Sequence, residues 1–237
     1  MTTTQTKKQD ITKQSIEKET ADRLSRIDKE FADGFDIVNS LNKSVTVFGS
    51  ARFKEGNHYY DLARDLSGKL AEAGYTTVTG GGGGIMEAGN RGAFEKGGKT
   101  AGFNISLPHE QVLNPYTTVS MPFYYFFTRK VILAYGAEAY VVLPGGFGTL
   151  DELFEIITLI QTKKMPKAPV ILMGSEFWQP LDDFIRSRML EADETISSGD
   201  EKLYTITDSP EEAVSIIQQH RETIGCRLDD PTKCLTV

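Results

Sequence analysis

Val141-Val142-Leu143-Pro144-Gly145-Gly146-Phe147-Gly148-Thr149-Leu150-Asp151-Glu152-Leu153-Phe154-Glu155 reads as strand, turn and helix in succession. Val141 to Leu143 has the apolar run of a buried strand end. Pro144 to Gly148 is a tight loop, because glycine admits positive φ and close backbone approach. Thr149-Leu150-Asp151-Glu152 then opens a helix whose apolar positions continue through Leu153, Phe154, Ile156, Ile157 and Ile160. Free N–H groups and the positive end of a helix dipole converge at such a junction, which makes it a place for an anion such as phosphate. Thr149-x-x-Glu152 is also the spacing of a capping box, in which the two side chains only close the helix end. A cap alone, however, needs no three glycines at the carboxyl end of a strand, the usual ligand edge of an open α/β sheet.

The same design recurs upstream. Ser44 to Gly49 is β-branched and apolar, a first strand that exits through Gly49-Ser50-Ala51-Arg52. Tyr59 to Ala73 carries Leu62, Leu66 and Leu70 at helical spacing and closes at Gly74. Tyr75 to Thr79 is the next strand, followed by the glycine run Gly80 to Gly84 and a helix opening Ile85-Met86-Glu87-Ala88. Ordering so many glycines costs much chain entropy, and a plain turn needs one or two of them. The run is neither a GxGxxG dinucleotide fingerprint nor a GxxxxGK[ST] loop.

Lys99 to Ser106 is a third strand, ending at Leu107-Pro108-His109-Glu110-Gln111. Phe123 to Leu133 reads as an aromatic helix, with Phe123, Phe126 and Phe127 as core or subunit contact, interrupted by Arg129-Lys130. Cations beside buried aromatics must reach water or meet an anion. Pro169 to Met173 and Leu203 to Ile206 add strands. Phe177 to Leu190, with Trp178 and Phe184 inward, and Pro210 to Gln219 add helices. Strands alternating with helices predict an α/β, Rossmann-like, doubly wound parallel sheet in a single domain with an N-terminal helical extension. The expected divisions are 1–43 for the extension, 44–224 for the nucleotide-binding domain and 225–237 for a tail.

The extension mixes charges with Ile16, Leu24, Ile27, Phe31, Phe35 and Val38 near helical spacing, so one or two amphipathic helices are expected, on the domain surface or at a subunit contact. With 39% apolar residues in 237, the chain can build a large core. A net charge of −7 without a basic stripe disfavours a nucleic-acid partner. No apolar leader and no membrane-length apolar run is read from the sequence. Cys226 and Cys234 form no CxxC, which favours free thiols in a reducing cytoplasm. Nothing calls for a metal or a cofactor.

Pro144-Gly145-Gly146-Phe147-Gly148-Thr149-Leu150-Asp151-Glu152 resembles the PGGxGTxxE signature of the LOG family, the cytokinin riboside 5′-monophosphate phosphoribohydrolases, often labelled lysine decarboxylases. The stretch from Gly80 to Gly98 is similar to that family's GGGxxGIMEAxNxGA block, with Gly83 where proline or serine is common. The resemblance implies Arg129 and Glu152 as catalytic residues. It implies a substrate site of Gly49, Ser50, Gly82, Gly83, Met86, Glu110, Lys130, Gly145, Gly146, Phe147, Gly148, Thr149 and Asp151. Its expected chemistry is hydrolysis of the N-glycosidic bond of a nucleoside 5′-monophosphate, a cytokinin riboside monophosphate or AMP, by a homo-oligomer, dimer or hexamer. The alternative on the same fold is a non-catalytic binder of a nucleotide or phosphate cofactor. A pyridoxal-phosphate decarboxylase would need a Schiff-base lysine, and no lysine here is marked as one.

Overall fold

The computed structural model describes residues 13–41, 43–106 and 112–224. Within them, α1 (Lys13–Ser40) precedes β1 (Ser44–Phe48), α2 (His58–Glu72), β2 (Thr76–Thr79), α3 (Ile85–Glu95), β3 (Thr100–Ile105) and β4 (Val119–Phe123). Next come α4 (Phe126–Tyr135), β5 (Ala139–Val142), α5 (Phe147–Gln161), β6 (Val170–Met173), α6 (Ser175–Phe184), β7 (Thr205–Thr207) and α7 (Pro210–Ile224). The strands form one parallel sheet in the order β4-β3-β2-β1-β5-β6-β7. The chain runs outward from β1 through β2, β3 and β4, then returns to β5 on the other side of β1. The winding therefore reverses between β1 and β5, where such sheets open a crevice at the carboxyl ends of their strands.

The central strands are buried on both faces, so β5 and β6 read as continuous apolar runs and β1 and β2 as valine mixed with buried threonine. Val45 and Val47 of β1, with Val141 of β5, pack on one side against Leu66 and Leu70 of α2 and Ile217 of α7. Phe48 and Val142 turn the other way, toward Ile132 of α4, Leu153 and Ile156 of α5, and Trp178 of α6. Two helical layers thus enclose the sheet as one single-domain Rossmann-like α/β unit.

The aromatic stretch departs from its sequence reading. Phe123 ends a strand rather than opening a helix, and α4 begins only at Phe126. β4 escaped notice because Pro122 and Ser120 interrupt its apolar pattern, which a sheet-edge strand tolerates. Phe123 is fully buried, but Phe126 and Phe127 are exposed and belong to no core of this chain. Phe184 also points outward, at the end of α6 before the wider-wound helical segment Ile185–Ala192, whereas Trp178 is buried as expected.

Among the described residues the extension is one long helix, α1. Its partly buried Phe31, Phe35 and Val38 pack against the α4 side of the core. No helix among the described residues is long and apolar enough to cross a membrane.

Candidate active site

Three strand exits meet at the winding reversal. The Ser50 N–H donates to the Pro144 carbonyl (3.0 Å), and the Ser50 carbonyl accepts from the Ile85 N–H (2.9 Å), so the loops after β1, β5 and β2 are tied through one residue. Gly49 and Gly84 are held by packing. A β-carbon at 49 would lie 2.6 Å from Ile85, and one at 84 would lie 2.3 Å from the Ser50 carbonyl oxygen, where φ is also +69°. The rest of the glycine run is shaped from below. The Asn114 amide donates to the Gly82 carbonyl (3.0 Å) and to Asn90 Oδ1 (2.9 Å), and Thr79 Oγ1 accepts from the Gly81 N–H (3.0 Å). Asn90 and Asn114 are both buried. Nothing in the spacing of these two asparagines announced them as a pair.

Helix α5 starts two residues earlier than its sequence reading, at Phe147. Gly146 takes the extended cap conformation, and its carbonyl accepts from the Thr149 and Leu150 N–H groups. The capping-box alternative is not realised: no side chain caps this end, and Thr149 packs instead over Gly145. The N–H groups of Gly146, Phe147 and Gly148 have no backbone acceptor among the described residues. A β-carbon at Gly146 or Gly148 would meet nothing within 4 Å. Packing does not explain those two glycines, whereas a ligand lying against the backbone would. Phe147 stands 93% exposed at the same rim.

Glu152, in the first turns of α5, is 8% exposed and makes no hydrogen bond or ion pair among the described residues. Burial pushes its carboxyl up to about 7, against the opposing pull of Lys130 and Arg129 and with a further push from Glu155 and Asp151. Arg129 comes from α4 on the other wall. Its Nε donates to the Phe103 carbonyl (2.7 Å), while its Nη2 passes the Cα of Gly80, where a β-carbon would lie 2.2 Å away. Burial lowers the guanidinium and Glu152 raises it. An arginine stays charged even so, and its terminal nitrogens have no partner among the described residues. Met86 Sδ lines the same wall, 2.7 Å from the β-carbon position of Gly80.

Lys130 reaches across to α5. Its Nζ lies 2.8 Å from Asp151 and 2.7 Å from Glu155. Burial lowers this ammonium, but the two carboxylates more than reverse that, leaving it above its ordinary value. Glu110 and the neighbouring His109 lie outside the described residues, as do Cys226 and Cys234. Among the described residues no cluster of histidine, cysteine and carboxylate groups is placed to hold a metal. A hollow of about 350 Å³ between α2 and α3 is lined by charges already paired with one another, including Arg64 with Glu95, and lies away from the strand ends.

A family model described as "Possible lysine decarboxylase" matches residues 86–217, more than half of the chain. The cytokinin riboside 5′-monophosphate phosphoribohydrolase of Rhodococcoides fascians is 29% identical over 153 residues, 63% of this chain and 77% of that protein. The rice enzyme of the same name, LOG, from Oryza sativa subsp. japonica is 34% identical over 141 residues, 58% of this chain and 57% of that protein. Among solved structures, a structural-genomics target, TM1055, superposes with a TM-score of 0.56 at 27% identity, covering 75% of this chain and 99% of its own. The molybdenum cofactor carrier protein of Chlamydomonas reinhardtii reaches 0.58 at 23% identity, covering 76% and 99%, and shares the fold alone.

Proposed function

This chain belongs to the LOG-type family described as possible lysine decarboxylases, and from that premise we propose that it hydrolyses the N-glycosidic bond of a purine nucleoside 5′-monophosphate. The substrate is a cytokinin riboside monophosphate or AMP, and the products are free base and ribose 5-phosphate. The observation that carries this reading is the pairing of Glu152 and Arg129. Glu152 is buried and Arg129 half-buried at the strand ends, and each acts electrostatically on the other, yet neither is used up in a direct ion pair. A carboxylate whose proton leaves near neutrality suits a general base.

In this scheme the 5′-phosphate lies on the N–H groups of Gly146, Phe147 and Gly148, with Thr149 and Gly145 fixing their loop and Gly82 and Gly83 forming the opposite lip. Gly49, Ser50 and Met86 complete the floor, and Glu110 serves the base or ribose end. Arg129 anchors ribose or phosphate. Glu152 takes a proton from water as the water oxygen bonds C1′, and its charge balances the oxocarbenium-like sugar. The C1′–N bond breaks with its electron pair going to the base, which takes up a proton from water while Glu152 gives its own back to solvent. Lys130 and Asp151 flank the substrate through their mutual ion pair. An ammonium held between two carboxylates stays protonated and is a poor imine-forming amine, which counts against the decarboxylase label.

Incubation of the full chain with AMP and with a cytokinin riboside monophosphate is expected to yield base and ribose 5-phosphate in equal amounts by chromatography. A nucleotide that binds and is recovered intact would leave the protein a carrier or binding module instead.

We also propose a cytoplasmic homo-oligomer, dimer or hexamer, in which a second copy covers the exposed Tyr124, Phe126 and Phe127. Light scattering is expected to give a multiple of the chain mass. A monomer at micromolar concentration would remove this part of the reading.

A further inference from the structure

The second half of helix α1, from Arg26 to Val38, lies alongside α4. Arg26 sits 4.7 Å over the Tyr124 ring, and Phe31 faces Phe127 with ring centroids 6.5 Å apart. At Gly34 a β-carbon would come 2.7 Å from Ile132, and Val38 reaches Gly136 just past the end of α4. The two helices run in the same direction, so their dipoles repel. A carboxylate at the N-terminus of α4 offsets that repulsion.

Glu30 is that carboxylate. It is 7% exposed although it is a charged residue on an otherwise apolar face. The Tyr124 N–H donates to it at 2.7 Å, the Tyr125 N–H at 3.4 Å and the Thr128 hydroxyl at 2.6 Å. Tyr125, the N-cap residue of α4, supplies no side-chain cap of its own. The end of α4 that carries Arg129 is therefore fixed from outside, by a residue that lies beyond the family-matched segment 86–217.

We propose that Glu30 is a positioning residue for Arg129: by clamping the Tyr124–Thr128 turn it sets where the guanidinium stands relative to Glu152, so that the N-terminal helix is a working part of the site. This inference rests on the catalytic reading of Arg129 given above. Loss of the clamp lets the first turn of α4 fray, and Arg129 follows directly after Thr128. A misplacement on the order of 1 Å at a reacting centre costs roughly a hundred-fold in rate.

The test compares Glu30→Ala, Glu30→Gln and Thr128→Val in the full chain, with Asp33→Ala as control, since Asp33 pairs with Lys29 in solvent. Two quantities are read: kcat and KM for base release, and the titration midpoint of Glu152 by carboxyl ¹³C NMR, assigned with Glu152→Gln. Glu152 is faced by Arg129 and Lys130 from α4 and by Asp151 and Glu155 from its own helix. Removing an acidic group elsewhere moves that midpoint down, if it moves it at all. An upward movement therefore reports loss of the arginine's field. Glu30→Ala is expected to lower kcat about ten- to a hundred-fold with KM nearly kept, and to move the midpoint up. Glu30→Gln, which keeps side-chain length and one acceptor, recovers part of both.

A Glu30→Ala protein that melts earlier but retains the wild-type kcat and midpoint overturns the proposal. Should Glu30→Ala not fold, Thr128→Val decides on the same terms. Should the wild type release no base, the proposed activity fails, while the midpoint in Glu30→Ala still decides the role of Glu30.

Discussion

Glu152→Gln is expected to cut base release about 10²- to 10⁴-fold and, above pH 7, to make the protein more stable than the wild type. The amide cannot accept the proton of the attacking water, which accounts for the rate. The stability gain follows from the carboxyl's displacement from an ordinary 4.5 to about 7. Below pH 4.5 the group is neutral in both folded and unfolded chains, and its burial carries no charge penalty. Between 4.5 and 7 only the unfolded chain releases the proton, so folded stability falls as pH rises. Above 7 the full cost is present, roughly 3 kcal/mol, and glutamine abolishes it. Thermal melts of the two proteins at pH 5 and pH 8 check this: the variant gains at pH 8 and not at pH 5. In the wild type, kcat/KM is expected to rise with pH through about 7 as the base form appears. A Glu152→Gln variant with unchanged turnover would remove this residue from the chemistry.

Arg129→Met is expected to lower kcat/KM about 10²- to 10³-fold, because the site loses the charged donors that anchor the ribose or phosphate. It is also expected to push the pH at which activity appears upward, since Arg129 is one of the two cations that hold the Glu152 carboxyl down. Arg129→Lys restores charge without the planar fork and recovers only part of the rate. Initial rates across pH 5 to 9 give both readouts. A limb that stays where it was would show that the two groups do not sense each other in solution. The methionine also leaves the Phe103 carbonyl without its donor, so a modest fall in melting temperature accompanies the loss.

The sheet was legible because its centre is buried on both sides. Val45 to Phe48 and Ala139 to Val142 have no polar face to hide, and the glycines mark where each strand stops. Glu152 was legible through its spacing from Gly148, but its environment was not: the same Thr149 and Glu152 could have closed a helix end, and only packing decides that they do not. β4 was missed because an edge strand tolerates proline and serine. The run Phe123 to Leu133 was misread as one helix because aromatic residues suit a buried strand end and an exposed helix start equally well. Glu30 left little trace, being one of two acids, with Asp28, between Ile27 and Phe31, and only packing shows that it is the one facing inward. Its partners, Tyr124 and Thr128, are distant in the chain, so periodicity could not supply them. The Asn90–Asn114 contact is hidden in the same way.

The glycines of the mouth fall under two different masters. Those at 49 and 84 are demanded by neighbouring atoms, so that drift at either would be purged by misfolding alone. At 146 and 148 the protein's own packing leaves room for a side chain, and at 148, inside the first helical turn, it would even gain from alanine. A lineage that ceased to need the guest molecule would therefore shed these two first while remaining well folded, leaving an intact shell whose lost occupation shows only at those positions.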